Sequence, residues 1–406
     1  MSAGAAAERA ARLAYGRLVA ILAARTRDVA AAEDALAEAF HAALRRWPET
    51  GVPDNPEAWL VTAARRQHGH ARRHAQVRAA AEPTLRLLLA EEAPEMTEIP
   101  DRRLQLLMVC AHPAIAPEAQ APLMLQAVLG LDAARIAACF LTSPAAMSQR
   151  LVRAKARIRD AGIGFALPGP AELPPRLEAV MSAIYAAFGT GWADLLAEGA
   201  GGQGLTEEAI WLGRLLVALL PEAPEPKGLL ALMLYAETRR GARRDAAGGF
   251  VPLSAQDPAL WSRPLLAEAE ALLRAAARAG TLGRFQLEAA IQSVHVEARL
   301  TGADRAEALL GLYDLLARLS PTAGVLVARA AALAEAGQPA SALRELDGMA
   351  GPLANYQPWW AARAHALERS GAVEAAREAR RRAAGLTEDA AVRAWLLARC
   401  GGGSPR

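Results

Sequence analysis

The chain predicts an all-α protein made of several small helical units, and three observations carry that prediction. Ala, Leu and Arg dominate its 406 residues. Apolar residues recur at helical spacing, and hardly any run alternates as a strand would. A segment also returns on itself: ARAAALAEAGQPASA (Ala328 to Ala342) aligns with ARAHALERSGAVEAA (Ala362 to Ala376) at an offset of 34 residues. That period is the tetratricopeptide (TPR) one, and a degenerate third copy is expected between Gln286 and Pro321, with Gly302 preceding Gly337. A chain of this length holds two to four domains, each with its own core.

Taken in order, Glu8 to Ala24 forms an amphipathic helix carrying Leu13, Leu18, Ile21 and Leu22. Asp28 then caps a second helix with Val29, Leu36, Phe40, Leu44 and Trp47 on its apolar side, and Pro48 is expected to stop it. Glu33, Asp34 and Glu38 should face outward in an acidic strip, readable as solvated surface or as a docking face. Asn55-Pro56 opens a third helix anchored by Trp59, Leu60 and Ala63. Beyond Ala64 this helix becomes basic: Arg65, Arg66, Arg72, Arg73 and Arg78 stand with three histidines and no acid from Val61 to Ala80. Such a run suits a nucleic-acid backbone or a plain solvated helix end. Ala81 to Pro100, acidic and interrupted by proline, reads as a linker.

The following unit, Asp101 to Phe165, contains four helices and ends in Leu131 to Arg159. Asp132 caps a first helix bearing Ile136 and Phe140, Leu141 to Ser143 breaks it, and Pro144 starts a second with Ser143 as its cap. Met147, Leu151, Ala154 and Ile158 form one buried stripe of that helix. Ala145, Gln149, Val152 and Arg153 point away from it, with Arg150 and Arg157 on one flank and Ser148 and Arg159 on the other. A short turn, a one-sided stripe and a basic outer face together describe a DNA-reading helix-turn-helix, in which Gln149, Arg150 and Arg153 have donors for base edges or phosphates.

Charge follows the same division. The net charge is +3; residues 1 to 165 hold 21 basic against 17 acidic side chains, and the remainder 25 against 26. Cys110, Cys139 and Cys400 are scattered without a CxxC, so reduced thiols in a cytosolic protein are expected. No signal-peptide core and no membrane-length apolar span is present in the sequence. No phosphate loop, nucleophile motif or convergent metal ligands can be read, which argues against an enzyme and against a cofactor or metal; Asp257 near Trp261 reads as a loop cap.

Two small helical domains, the first with an acidic helix followed by a basic one and the second ending in a helix-turn-helix, resemble regions 2 and 4 of bacterial extracytoplasmic-function (ECF) sigma factors. AEDALAEAFHAALRRWP (Ala32 to Pro48) is similar to the helix that docks on the RNA polymerase clamp, and NPEAWLVTAARR (Asn55 to Arg66) to the helix that engages the melted −10 element. The Leu131 to Arg159 stretch resembles the −35 reader. The resemblance implies polymerase docking by Asp34, Glu38 and Phe40. It implies −10 contacts by Trp59, Arg65, Arg66, Arg72 and Arg73, and −35 contacts by Ser148, Gln149, Arg150, Arg153 and Lys155. Ile99 to Gln120, Leu151 to Leu177, Tyr185 to Trp192 and Ala255 to Trp261 resemble the ECF subgroup with a long TPR-containing C-terminal extension.

The expected organisation is region 2 at 8–80, a linker at 81–100, region 4 at 101–165, a helical extension at 166–284 and TPR-like repeats at 285–400. The partners implied are core RNA polymerase, promoter DNA and a peptide or protein on the TPR surface, with no membrane. The extension would control the sigma core in cis. The competing reading is a TPR-bearing regulator that binds DNA without docking on polymerase.

Overall fold

A computed structural model describes residues 2–77, 101–140, 142–194 and 202–400. The expected linker at 81–100 therefore lies outside the described residues. Every named element is helical, and the chain divides into two compact units, Met1–Ala209 and Ile210–Arg406. No helix among the described residues is long and apolar enough to cross a membrane.

In the first unit, α1 (Ala3–Thr26) starts at Ser2, whose hydroxyl accepts from Ala5 N at 3.3 Å, and ends at Arg27 in the left-handed conformation. Asp28 caps α2 (Val29–Thr50) by accepting from Ala31 N at 3.1 Å, and Asn55 does the same for Ala58 N at the head of α3 (Pro56–Val77). The three helices close on Leu18, Val29, Leu36, Trp47, Leu60 and Val61, all buried. Arg17 pairs with Glu57 and fixes where α3 begins against α1. Pro48 does not stop α2, which runs to Thr50. A proline in the last turn removes one amide where the helix is already ending, a smaller loss than in its interior.

Next come α4 (Arg103–Cys110), α5 (Pro117–Leu129), α6 (Ala133–Cys139) and α7 (Pro144–Asp160). Helix α4 is buried on nearly every side through Leu104 and Leu106 to Cys110. Two further helices, α8 (Leu173–Asp194) and α9 (Gly202–Leu219), follow, and the boundary between the units falls within α9. Helix α8 packs on α4, α5 and α6, and Arg176 on α8 donates to the Met108 carbonyl at 2.9 Å. Arg135 on α6 pairs with Glu208 at 2.9 Å.

The second unit contains α10 (Pro224–Thr238), α11 (Arg263–Ala277), α12 (Arg284–Thr301), α13 (Ala306–Leu319), α14 (Ala323–Glu335), α15 (Pro339–Gly348), α16 (Ala350–Leu353), α17 (Gln357–Arg369), α18 (Val373–Gly385) and α19 (Ala390–Ala398). The sequence repeat becomes two helix pairs, α14 with α15 and α17 with α18. Each pair turns at a glycine of positive φ, Gly337 at 77° and Gly371 at 82°, a conformation a Cβ would strain. Their shared core is Val327, Ala330, Leu333, Leu346, Trp359 and Ala366. Trp359 donates its indole N–H to the Leu346 carbonyl at 2.9 Å, so burial leaves no polar atom of that ring unpaired. Asp257 caps the short turn 258–260 by accepting from Ala259 N, the loop role its position suggested.

Candidate nucleic-acid and polymerase interface

Helix α7 is the best-defined part. Ser143 accepts from Ala146 N at 3.2 Å, Pro144 takes the first helical position, and the buried residues are Met147, Leu151, Ala154 and Ile158. These are the residues that helical spacing assigns to the core stripe. Anchoring them turns Ala145, Ser148, Gln149, Val152, Arg153, Arg157 and Arg159 to solvent, with Arg150 half-buried. Val152 is 66% exposed. A single open aliphatic side chain is ordinary on a protein surface; this one shares the exposed face of α7 with Gln149 and Arg153. Helix α6 packs against α7 and contributes buried Ile136.

On α2, Asp34 and Glu38 stand one turn apart and are exposed, while Phe40 is half-buried. On α3, Trp59 is half-buried and meets Trp47 edge-on, with centroids 5.4 Å apart at 67°. Trp47 is fully enclosed, so it braces Trp59 from behind. Arg66 is exposed. Arg65 is half-buried, its Nε has no hydrogen-bond partner among the described residues, and burial together with Arg25 lowers its proton affinity. Arg72 and Arg73 lie on the last turns of α3, which continues through Gly69 to Val77; their side chains are outside the described ones.

Leu44, expected on the apolar side of α2, is 51% exposed, and two charged residues depart from the sequence expectation as well. Glu33 does not face outward with Asp34 and Glu38, and Lys155 is not on the open face of α7: the two form an ion pair across α2 and α7, each side chain almost covered. Burial raises the Glu33 carboxyl above its ordinary range, and Lys155 opposes that rise without cancelling it. The pair therefore fixes how α7 sits on α2 more than it stabilises the contact, the usual balance for covered ion pairs. Both positions are one helical step from the faces assigned to them, and periodicity alone cannot choose a side for a boundary residue.

The region around this pair is closely packed. Helix α1 lies on α4 and α5, and α7 on α2 and α5. Gly16 of α1 presses on Val128 of α5 so tightly that an added Cβ would stand 2.1 Å from the Val128 carbonyl oxygen. Gly130, at φ 73°, has the Tyr15 ring over it. Burial and the nearby Glu33 and Asp34 push the Tyr15 phenol far up. A glycine in the middle of an Ala-rich helix is the sequence signal for such an approach, since it otherwise only weakens the helix. Thus the first three helices and the four that follow form one body, with α7 against α2. Among the described residues no group of His, Cys, Asp and Glu could hold a metal; Cys110 is buried with its thiol pushed far up, and His112 Nδ1 accepts from Ala114 N at 3.0 Å.

Residues 11–77 match the model of sigma-70 region 2, and residues 176–277 match that of a family of unknown function (DUF6596). The chain is 37% identical over 379 residues to Uncharacterized protein R00370 of Rhizobium meliloti (strain 1021), an alignment spanning 91% of this chain and 89% of that one. No solved structure matches. Helices α1 to α3 thus match a sigma-70 region 2, and with 37% identity to the Rhizobium protein over nearly the whole length of both chains, the chain belongs to that protein's family and is a member of the sigma-70 family.

Proposed function

We propose that this protein is an ECF-type sigma factor that directs core RNA polymerase to promoters and that its C-terminal extension, ending in TPR-like helix pairs, controls the sigma core in cis. The observation that carries the reading is the orientation of α7 beside a sigma-70 region 2: its apolar stripe is sunk, and Gln149, Val152 and Arg153 are left open on a helix capped by Ser143. In this account Asp34, Glu38 and Phe40 meet the polymerase clamp. Trp59, Arg65, Arg66, Arg72 and Arg73 hold the separated −10 strand, where an aromatic ring can stack a base and guanidiniums can meet phosphates. Ser148, Gln149, Arg150 and Arg153 enter the major groove at −35, with Lys155 joining them once Glu33 lets go.

Regions 2 and 4 of a sigma factor engage separated promoter elements, so the packing of α7 on α2 and of α1 on α5 represents a closed resting arrangement that docking must open. No covalent chemistry is required of the chain, and the action is in the cytoplasm, where polymerase and promoter are.

Run-off transcription with core polymerase and genomic DNA tests the reading. The chain should yield defined transcripts, and Asp34→Lys with Glu38→Lys should abolish them while leaving DNA binding by α7 intact. DNA binding that persists with no polymerase-dependent transcript from the unmodified chain would replace this reading with a helix-turn-helix regulator that does not dock.

A further inference from the structure

The second unit holds a cleft that neither docking nor promoter contact uses. Helices α11 and α12 both pack along α10 but touch each other little, and between them lies a cleft of about 280 Å³. Tyr235 of α10 is its floor. Leu273 of α11 forms one apolar wall, and Val296 and Leu300 of α12, one helical turn apart and so on one face, form the other. Leu300 is 53% exposed, a large aliphatic side chain left at the rim.

The charged groups around the cleft are spent, and a hydroxyl at its floor is not. At the mouth, Arg274 donates to Glu270 at 3.5 Å and Arg305 pairs with Glu297 at 2.6 Å, so each carboxylate already has its cation. Thr301 Oγ1 donates to the Glu297 carbonyl at 2.8 Å and accepts from Ala303 N at 3.2 Å. Tyr235 is fully buried, yet its hydroxyl has no hydrogen-bond partner among the described residues. Ser293 of α12 borders the same cleft, short of a well-formed bond to that hydroxyl, and opposes part of the rise that burial imposes on the phenol. An enclosed phenol ordinarily finds a partner, because leaving it unpaired costs free energy. As a hydroxyl it can donate or accept, so it suits an oxygen brought into the cleft.

We propose that the cleft between α11 and α12 binds a small uncharged molecule, an apolar body carrying one hydroxyl or carbonyl oxygen, with that oxygen hydrogen-bonded to Tyr235 at the floor. The matched charges at the mouth ask for no ionic group on the ligand, and Leu273, Val296 and Leu300 supply its apolar surroundings. A water takes about 30 Å³, so about 280 Å³ admits a molecule of about nine non-hydrogen atoms, near the lower end of small-molecule sites. The site stands independently of the promoter reading.

Titration of the full chain against 4-methylphenol, acetophenone and toluene, followed by broadening of the probes' own proton resonances, tests it. The three share an aromatic body; the first adds a hydroxyl, the second a carbonyl, and toluene neither. At least one oxygenated probe should bind about fivefold or more tighter than toluene, the least that completing a buried hydrogen bond is worth. A preference for 4-methylphenol alone assigns alcohols, one for acetophenone alone assigns carbonyl compounds, and one for both keeps the class whole. Tyr235→Phe, which removes only the oxygen, should bring the favoured probe down to the affinity of toluene. Leu300→Trp, which fills the cleft from its open rim, should abolish binding of all three. No binding of any probe, toluene bound as tightly as the other two, or binding unchanged in either variant overturns the proposal. Should Tyr235→Phe fail to fold, the toluene comparison in the unmodified chain and the loss in Leu300→Trp decide.

Discussion

Gly16→Ala puts the closed arrangement of the sigma core to a direct test. The new methyl would land 2.1 Å from the Val128 oxygen and 2.9 Å from its carbonyl carbon. Both atoms are helix backbone and cannot rotate aside, so α1 must withdraw from α5 by about 1 Å, and overpacking of this kind costs about 1–3 kcal/mol. Within α1 the same change is favourable by roughly 0.5–1 kcal/mol, because alanine is the better helix former. That gain accrues whether or not α1 touches α5, so the penalty falls on the contact alone. A bias of 1–3 kcal/mol moves a two-state equilibrium by about 5- to 150-fold. Run-off transcription at limiting protein and saturating core polymerase should therefore rise in Gly16→Ala. Gly4→Ala is the matched control, since nothing lies within 4 Å of a Cβ at that position; it strengthens α1 without opening anything. If the two variants transcribe alike, α1 on α5 is not a barrier to initiation, and the closed state is no resting state.

Other consequences follow from single side chains. Val152, 66% exposed between Gln149 and Arg153, is placed to meet a thymine methyl, so replacing one thymine of the upstream element by deoxyuridine should weaken binding of the unmodified chain several-fold and leave Val152→Ala unaffected; insensitivity at every thymine counts against it. Trp359→Ala removes a buried indole and its bond to Leu346, and should lower the stability of the second unit by about 3–5 kcal/mol in a denaturant titration, with a loss under 1 kcal/mol refuting the packing argument. His295 of α12, held to about 4 in the fold by burial and by Arg239, titrates near 6.5 when unfolded, so the folded state binds that proton less readily. Its contribution is complete above about pH 6.5 and is lost progressively as pH falls toward 4. The unfolding midpoint of His295→Gln should accordingly fall less over that window than that of the unmodified chain.

How far the sequence carried these conclusions differs from helix to helix. The faces of α7 were legible because four apolar residues at helical spacing, a Ser-Pro start and a basic remainder all agree, and such agreement leaves one way to bury the helix. The two helix pairs were legible because their turns need glycine at a fixed interval. Lys155 and Glu33 were not, because each sits where two helix faces meet and only the arrival of a second helix decides which face is inside. Seen from one helix, a lysine on the flank of a basic surface belongs to that surface; seen with α2 in place, it answers a carboxylate. The same limit explains Tyr235, whose surroundings are assembled from α10, α11 and α12, which no local pattern connects. Gly16 lies between these cases. Its cost to α1 was visible in the chain, but the neighbour that justifies the cost lies more than a hundred residues away, and naming Val128 required the fold. The side chains legible from one helix are thus those proposed to meet outside partners, and those the fold had to reveal set how one helix packs on another. A change in the first acts through one surface and a change in the second through a pair of elements, so Gly16→Ala is expected to alter the packing of α1 on α5 while leaving the exposed face of α7 as it is.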